Sequence, residues 1–275
     1  MNEKIEYKVL ARKYRPQTFA DLIGQETLVK ILSNAITTNR IANAYLLTGV
    51  RGVGKTTTAR LIAMSLNCEN NKEHTCEPCG SCDSCKSIRS DHNLDVIEMD
   101  AASKTGVDDV REIIDNVKYK PVNCKFKIFI IDEVHMLSKS AFNALLKTLE
   151  EPPEHVKFIF ATTEVKKIPV TILSRCQRFD LKRVESKDLT QHLKKISELE
   201  KVKINEDAIS LLVRAGDGSV RDSLSLLDQA IINNNTTVTA ETVSKMLGLA
   251  DRGKIYELLG HIVKGHASES LDLFR

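Results

Sequence analysis

The stretch Gly49-Val50-Arg51-Gly52-Val53-Gly54-Lys55-Thr56 decides how the rest of the chain is read. It has the form G-x-x-x-x-G-K-T of a phosphate-binding loop. Glycines let the backbone turn so that successive N–H groups aim at phosphate oxygens. In such a loop the lysine, here Lys55, reaches the β- and γ-phosphates, and the hydroxyl of Thr56 sits on Mg²⁺. The flanks agree. Ala44-Tyr45-Leu46-Leu47 predicts a buried strand, and residues 57–66 carry Ala59, Ile62, Ala63 and Leu66 at helical spacing. The positive end of that helix would face the phosphates. A glycine-rich turn matching by chance would lack both flanks. The implied ligand is a nucleoside triphosphate with Mg²⁺, contacted from Gly49 to Thr56 and by Thr57.

Phe126-Lys127-Ile128-Phe129-Ile130-Ile131-Asp132-Glu133-Val134-His135 is the second anchor. An apolar run closed by acids predicts a parallel strand with carboxylates at its carboxyl end, where ligands of open α/β sheets gather. Asp132 would hold Mg²⁺ through water, and Glu133 would polarise the water that attacks the γ-phosphate. Residues 156–161 predict another buried strand. It ends in Thr162-Thr163, where a hydroxyl is placed to touch the γ-phosphate or position the water. Further strands are expected at 94–99 and around Arg178-Phe179-Asp180-Leu181, and helices at 28–36, 107–117 and 138–149.

A chain of 275 residues with 42% hydrophobic content has enough apolar material for one large domain or a few small ones. No run approaches the ~18 apolar residues of a membrane span. The segment Met1 to Tyr7 has no apolar signal core, so a soluble cytoplasmic protein is expected. A net charge of +3 is too small to argue nucleic-acid binding from the total, so any basic surface must be local. With no Trp and 5% aromatic residues, stacking platforms for single strands are not the dominant feature.

The cysteines cluster as Cys68, Cys76, Cys79, Cys82 and Cys85, spaced C-x7-C-x2-C-x2-C-x2-C. In a chain without an export signal this points to metal rather than disulfides. Four thiolates close a tetrahedral Zn²⁺ site. Repeated C-x2-C steps also occur in iron–sulfur ligation, but the bacterial run ends C-x3-C-P, and here Cys85 is followed by Lys86 and Ser87. Five cysteines compete for four places, and free reduced thiols are the plain alternative. A zinc site of this kind would be structural.

Lys8, Arg12, Lys13 and Arg15 form a basic run ahead of Pro16, read either as a solvated arm or as a segment, with Arg12 and Tyr14, that folds over the adenine. Ser103, Lys104 and Thr105 precede a predicted helix. Each fits a capping turn, and as a group they fit phosphate, from DNA for example. After Ser186 no strand pattern returns. Helices are predicted at 187–201, 207–215, 219–232, 240–247 and 253–263, with Asn233-Asn234-Asn235-Thr236 as a loop. Residues 268–275 read as a helix cut short, as in a fragment of a longer protein.

Several stretches converge on one family. They are Leu10-Ala11-Arg12-Lys13-Tyr14-Arg15-Pro16, the phosphate loop, the cysteine cluster, Asp132-Glu133-Val134-His135-Met136-Leu137 and Asn143 to Pro153. Ser174-Arg175-Cys176 and Gly218 to Gln229 complete the set. Together they resemble the gamma/tau subunits of the bacterial DNA polymerase III clamp loader, which are AAA+ ATPases. The loop alone is common to many nucleotidases; the cysteine cluster within such a core, joined to Ser-Arg-Cys, is specific. The resemblance runs from about residue 10 to about residue 250.

The resemblance implies an α/β fold, a P-loop NTPase whose parallel sheet is flanked by helices and interrupted by a zinc module near 68–85. It implies an ATPase domain over 1–179, a small all-α lid over 180–242 and the start of a helical collar over 243–275. Thr163 corresponds to a first sensor of the γ-phosphate and Arg221 to a second sensor in the lid. Arg175 corresponds to an arginine finger acting on a neighbour's ATP. Cys68, Cys79, Cys82 and Cys85 correspond to the zinc ligands, and Cys76 leaves a second set of four open. Ser103, Lys104 and Thr105 take the place of DNA contacts by position. ATP, Mg²⁺ and Zn²⁺ are the implied cofactors. Other loader subunits, a sliding clamp and primer–template DNA are the implied partners. A nucleotide-binding scaffold without turnover is disfavoured by the intact Lys55, Thr56, Asp132 and Glu133. Another AAA+ motor on DNA, such as a branch-migration helicase, is disfavoured by the cysteines and Ser-Arg-Cys. No acidic constellation for polymerase chemistry is present in the sequence.

Overall fold

The computed structural model describes residues 7–70, 76–234, 237–248 and 252–274. Its first part is built on a parallel sheet in the order β2-β3-β4-β1-β5. The strands are β1 (Ala44–Thr48), β2 (Val96–Asp100), β3 (Lys127–Asp132), β4 (Val156–Thr162) and β5 (Gln177–Asp180). Every residue of β1 and β4 is buried, and all of β3 except Asp132. A parallel sheet covered on both faces demands this, which is why these strands read as continuous apolar runs. Lys157 conforms by setting its Nζ 5.3 Å from the centre of the Phe126 ring and donating from it to Asn43 Oδ1 at 2.6 Å.

Two helices precede the sheet, the short α1 (Leu10–Lys13) and α2 (Glu26–Thr37). Between the strands come α3 (Lys55–Asn67), α4 (Asp83–Arg89), α5 (Val107–Val117), α6 (Lys139–Glu150) and α7 (Val170–Leu173). One face of the sheet packs on α2 and α3, where Leu32, Leu61 and Ile62 meet Leu47, Ile130 and Ile159. The other packs on α5 and α6, where Val110, Ile113, Phe142 and Leu145 meet Phe129, Phe158 and Phe160. Helix α6 starts where Ser138 Oγ accepts the Ala141 N–H at 3.2 Å, and stops before Pro152 and Pro153.

The second part is a helical layer of α8 (Ser186–Leu199), α9 (Glu206–Gly216), α10 (Val220–Asn234) and α11 (Ala240–Met246). Leu189, Leu193, Ile196, Leu212, Leu227 and Val243 form its core. The sequence reading of no strand after Ser186 is corrected here: β6 (Lys203–Ile204) and β7 (Thr237–Val238) pair in parallel. Two-residue strands are too short for an alternating pattern to register, and long-range packing of the buried Val238 creates them. Asn233 and Asn234 belong to α10 rather than to a loop; residues 235 and 236 of the predicted loop lie outside the described residues. Val243 is wholly buried, so the packed layer runs past residue 242.

The basic N-terminal run is not a solvated arm. Leu10 joins the core of the helical layer, and α1 lies against α10. Two further differences are local. Helix α4 sits inside the cysteine segment, and Leu94 lies outside β2, 72% exposed. Helices α12 (Arg252–Val263) and α13 (Ala267–Phe274) close the described chain and pack on each other.

Phe158 stacks between Phe129 and Phe160, with ring centres 5.5 and 5.9 Å away. Phe158→Ala is expected to cost about 3–5 kcal/mol of stability, read as a lower urea midpoint at an unchanged slope.

Candidate active site

Parallel register brings the carboxyl ends of the strands to one edge. Thr48 stands opposite Thr162 and Asp180, and Asp100 opposite Asp132. From that edge β1 runs straight into the phosphate loop. Gly49, Gly52 and Gly54 take φ of 148°, 77° and 103°, a region that side chains resist. Gly54 caps α3, so Lys55 and Thr56 form the first turn of a helix whose positive end faces the loop.

Lys55 is almost fully enclosed. Its Nζ donates to the carbonyls of Gly49 (3.0 Å) and Val50 (3.1 Å) and stands 3.9 Å from Glu133 Oε1. Burial pushes its ammonium down from the usual lysine range, and the charges of Glu133 and Asp132 oppose that. Thr56 Oγ1 donates to Asp132 Oδ2 at 2.5 Å, so the hydroxyl and carboxylate suited to Mg²⁺ already touch. Glu133 takes the left-handed conformation (φ 46°), a strained setting for a residue with a side chain. Its Oε2 accepts from Thr163 N (3.2 Å) and Thr163 Oγ1 (3.0 Å). Lys55, Thr56, Asp132, Glu133 and Thr163 therefore meet at one place.

The helical layer meets the loop through the backbone, where Arg221 N donates to Gly52 O at 3.2 Å. The chain enters that layer from β5 through Leu181 N to Thr48 O (2.8 Å), and Val184 N to Gly218 O (3.1 Å) fastens it there. A Cβ at Gly52 would collide with the Ser219 hydroxyl. Arg221 thus stands in the first turn of α10, against the phosphate loop.

Other predicted residues lie elsewhere. Tyr14 Oη donates to Glu200 Oε1 at 2.5 Å, which ties it to the end of α8, and Arg12 is exposed. Ser103, Lys104 and Thr105 are exposed between β2 and α5. They do not cap α5: Gly106 is the N-cap, and its N–H donates to Asp109 Oδ2 at 3.1 Å. Ser103 Oγ bonds instead to Asp100 O at 3.0 Å. Arg175 precedes β5, at the amino edge of the sheet, since Gln177 pairs with Tyr45. The phosphate loop leaves the opposite, carboxyl edge, so the length of β5 separates Arg175 from the loop of its own chain. Its guanidinium donates to Glu150 Oε1 (2.5 Å) and Thr171 O (2.6 Å).

Two residues near the site carry no signal of their own in the sequence. Arg15 is half-buried, and burial and then the charge of Arg60 push it below the usual arginine range, with Glu98 opposing. His135 is turned inward against Glu133, Thr162 and Glu164. Neither placement follows from local spacing, because the neighbours come from distant parts of the chain.

The sulfurs of Cys68, Cys79, Cys82 and Cys85 all lie within 4.8 Å of one another. A tetrahedral zinc thiolate site has sulfurs about 3.8 Å apart, so a small contraction would close one. Backbone N–H groups of Cys79, Cys82 and Cys85 donate to sulfurs of the set at 3.3–3.4 Å. Ser81 hydrogen bonds bring the Cys79 thiol down to about 5, whereas burial pushes Cys68 and Cys85 up. A thiolate at Cys85 calls for a cation beside it. Cys76 is packed in the sheet-side core instead, its thiol pushed up to about 12 by burial.

A phosphate loop opening into a helix after β1, acids at the end of β3 with β4 between the two strands, and a helical lid make up the architecture of AAA+ P-loop proteins. Solved RuvB structures of Thermotoga maritima share the fold. The Holliday junction branch migration motor superposes with a TM-score of 0.61 at 18% identity, over 92% of this chain and 80% of that one. Family models described as DNA polymerase III delta subunit, clamp loader subunit ATPase lid domain, and subunits gamma and tau domain III match residues 24–185, 188–235 and 238–275. Tau/gamma of Haemophilus influenzae is 52% identical over 95% of this chain, and tau of Escherichia coli 49% over 98%. The chain spans 38% and 42% of the lengths of those two proteins. Gamma of Buchnera aphidicola (Acyrthosiphon pisum) is 46% identical over 97% of this chain and 73% of its own length. The chain belongs to the gamma/tau family of DNA polymerase III clamp loader subunits.

Gly52→Ala is expected to lower stability by about 1–3 kcal/mol, because φ and the Ser219 hydroxyl both oppose a Cβ. Calorimetry checks this against Gly260→Ala, which meets open space and should not destabilise.

Proposed function

We propose that this chain is the ATP-hydrolysing motor subunit of a bacterial replicative clamp loader, which places a sliding clamp on primed DNA. The supporting observation is the meeting of Lys55, Thr56, Asp132, Glu133 and Thr163 at one sheet edge beneath Arg221, in a gamma/tau chain. Lys55 would neutralise the β- and γ-phosphates. Thr56 and Asp132 would hold Mg²⁺, which when bound offsets the charge that develops on the phosphoryl oxygens. Glu133 would draw the proton from the attacking water as its oxygen bonds to phosphorus and the bond to the leaving ADP oxygen breaks. Thr163 would sense the γ-phosphate, and Arg221 would report it to the lid. The segment of Arg12 and Tyr14 would border the base.

Arg175 is too far from its own phosphate loop to act there, which favours action in trans on ATP held by a neighbouring subunit. An arginine supplied this way stabilises transition-state charge only in the assembled ring. The working division is an ATPase domain over 1–179 and a lid from 180, with the expected boundary at 242 moved so that α11 stays in the lid and the collar follows it. Ser103, Lys104 and Thr105 are candidates for DNA phosphates in the ring. Cys68, Cys79, Cys82 and Cys85 would bind Zn²⁺ as a structural clip. The setting is the cytoplasm, with loader subunits, clamp and primer–template DNA as partners.

In the assembled complex with clamp and primed DNA, Lys55→Ala should lose ATP binding. Arg175→Ala should keep it and lose about 10³-fold in turnover; normal turnover by Arg175→Ala would sink the trans assignment. Elemental analysis should find about one zinc per chain, lost in Cys85→Ser. Metal-free wild-type protein purified under reduction would count against the zinc clip.

A further inference from the structure

We infer that His135 is a positioning residue for Glu133, fixing where the water-activating carboxylate points; the inference rests on the hydrolytic reading above. The His135 side chain is only 6% exposed, yet polar atoms stand at both ring nitrogens. Nδ1 is 3.0 Å from Thr162 Oγ1 and 3.3 Å from Glu133 Oε2, and Nε2 is 3.5 Å from Glu164 Oε1. Thr162 is itself pinned at the end of β4, where its hydroxyl oxygen accepts the Glu164 N–H at 3.0 Å. The ring is therefore referenced to the sheet and not to a mobile side chain.

Glu133 needs such a reference. It leaves β3 in a strained left-handed turn, and the next residues, Val134–Met136, coil tightly and swing His135 back toward it. Its Oε1 faces Lys55, and its Oε2 is shared between Thr163 and His135. The Thr163 hydroxyl is the group a γ-phosphate would compete for. When that hydroxyl turns to phosphate, Oε2 keeps the Thr163 N–H and the histidine. His135 is thus the fixed jaw of the clamp and the Thr163 hydroxyl the movable one. The hydrogen bond at Nδ1 is to Thr162 Oγ1, and it holds that nitrogen 3.3 Å from Glu133 Oε2, where a hydrogen on Nδ1 lies between the two oxygens. The amide nitrogen of Asn occupies nearly the same place, that of Gln falls nearer Nε2, and Leu fills space without a donor.

The test is steady-state ATP turnover of the chain in its assembled complex with clamp and primed DNA. His135→Leu should lower kcat by about 10- to 100-fold and leave KM within about twofold. His135→Asn should recover most of the loss. Adding His135→Leu to Glu133→Gln should cost nothing further, because a residue acting through Glu133 has nothing left to position. Turnover of His135→Leu within about twofold of wild type, equal losses in the Leu and Asn variants, or losses that multiply in the double variant would each overturn the inference. If His135→Leu does not fold, His135→Gln takes its place, and equal turnover of the Gln and Asn variants overturns the inference. A wild-type complex that does not hydrolyse ATP, or a fully active Glu133→Gln, overturns the hydrolytic reading and this inference with it. Loss in Glu133→Gln without loss in His135→Leu overturns this inference alone.

Discussion

The parallel register of β1, β3 and β4 is the constraint on which the site depends. It sets Thr48 level with Thr162 and delivers Asp132 to the same edge. Side chains alternate across a strand and both faces are packed, so a slip of one residue would press the β3 side chains fitted to α2 and α3 against α5 and α6 and draw Asp132 away from Thr56. Misfitted cores of this kind are costly, and so is a carboxylate without its partner. The hydrophobic pattern that holds the sheet together therefore also fixes the chemistry at its edge. The phosphate loop, the turn at Glu133 and the threonines after β4 are all short continuations of correctly registered strands.

The lid is attached to this edge by few contacts, and most of them are backbone. Arg221 N meets Gly52 O, and Leu181 N meets Thr48 O where the chain leaves β5. Glycine is needed at 52 because the lid comes so close that no Cβ fits. Backbone contacts of this kind do not depend on the identity of the side chain, so what α10 reads is the shape of the loop. Lys55 sits beneath, buried among carbonyls and held by two acids.

Much of this arrangement was legible because the signals are local. The glycines, lysine and threonine of the loop stand in one continuous stretch, and Asp132-Glu133 closes an unbroken apolar run. What depended on distant partners was not legible. The pairing of β6 with β7 joins residues on either side of two helices, and no periodicity marks it. His135 was visible as a letter beside Asp132 and Glu133, but the direction of its ring follows from the left-handed turn at Glu133. Arg15 was one of several basic residues until burial and the charge of Arg60 distinguished it. Spacing also left Cys68 and Cys76 as rivals; the structure groups the sulfur of Cys68 with the other three and packs Cys76 against the sheet.

Helix α11 is a wall of the lid core through Val243 and packs on α9 and α10, while the chain beyond it leads to α12 and α13. One end of this stack therefore rests on the phosphate loop through Arg221, and the other is the take-off point for the helices that follow. Helix α10 takes part in both contacts: its first turn meets Gly52 and its side packs on α11. The chain beyond the lid is thus anchored on the same helix that touches the loop backbone, with no side chain of the loop needed between them.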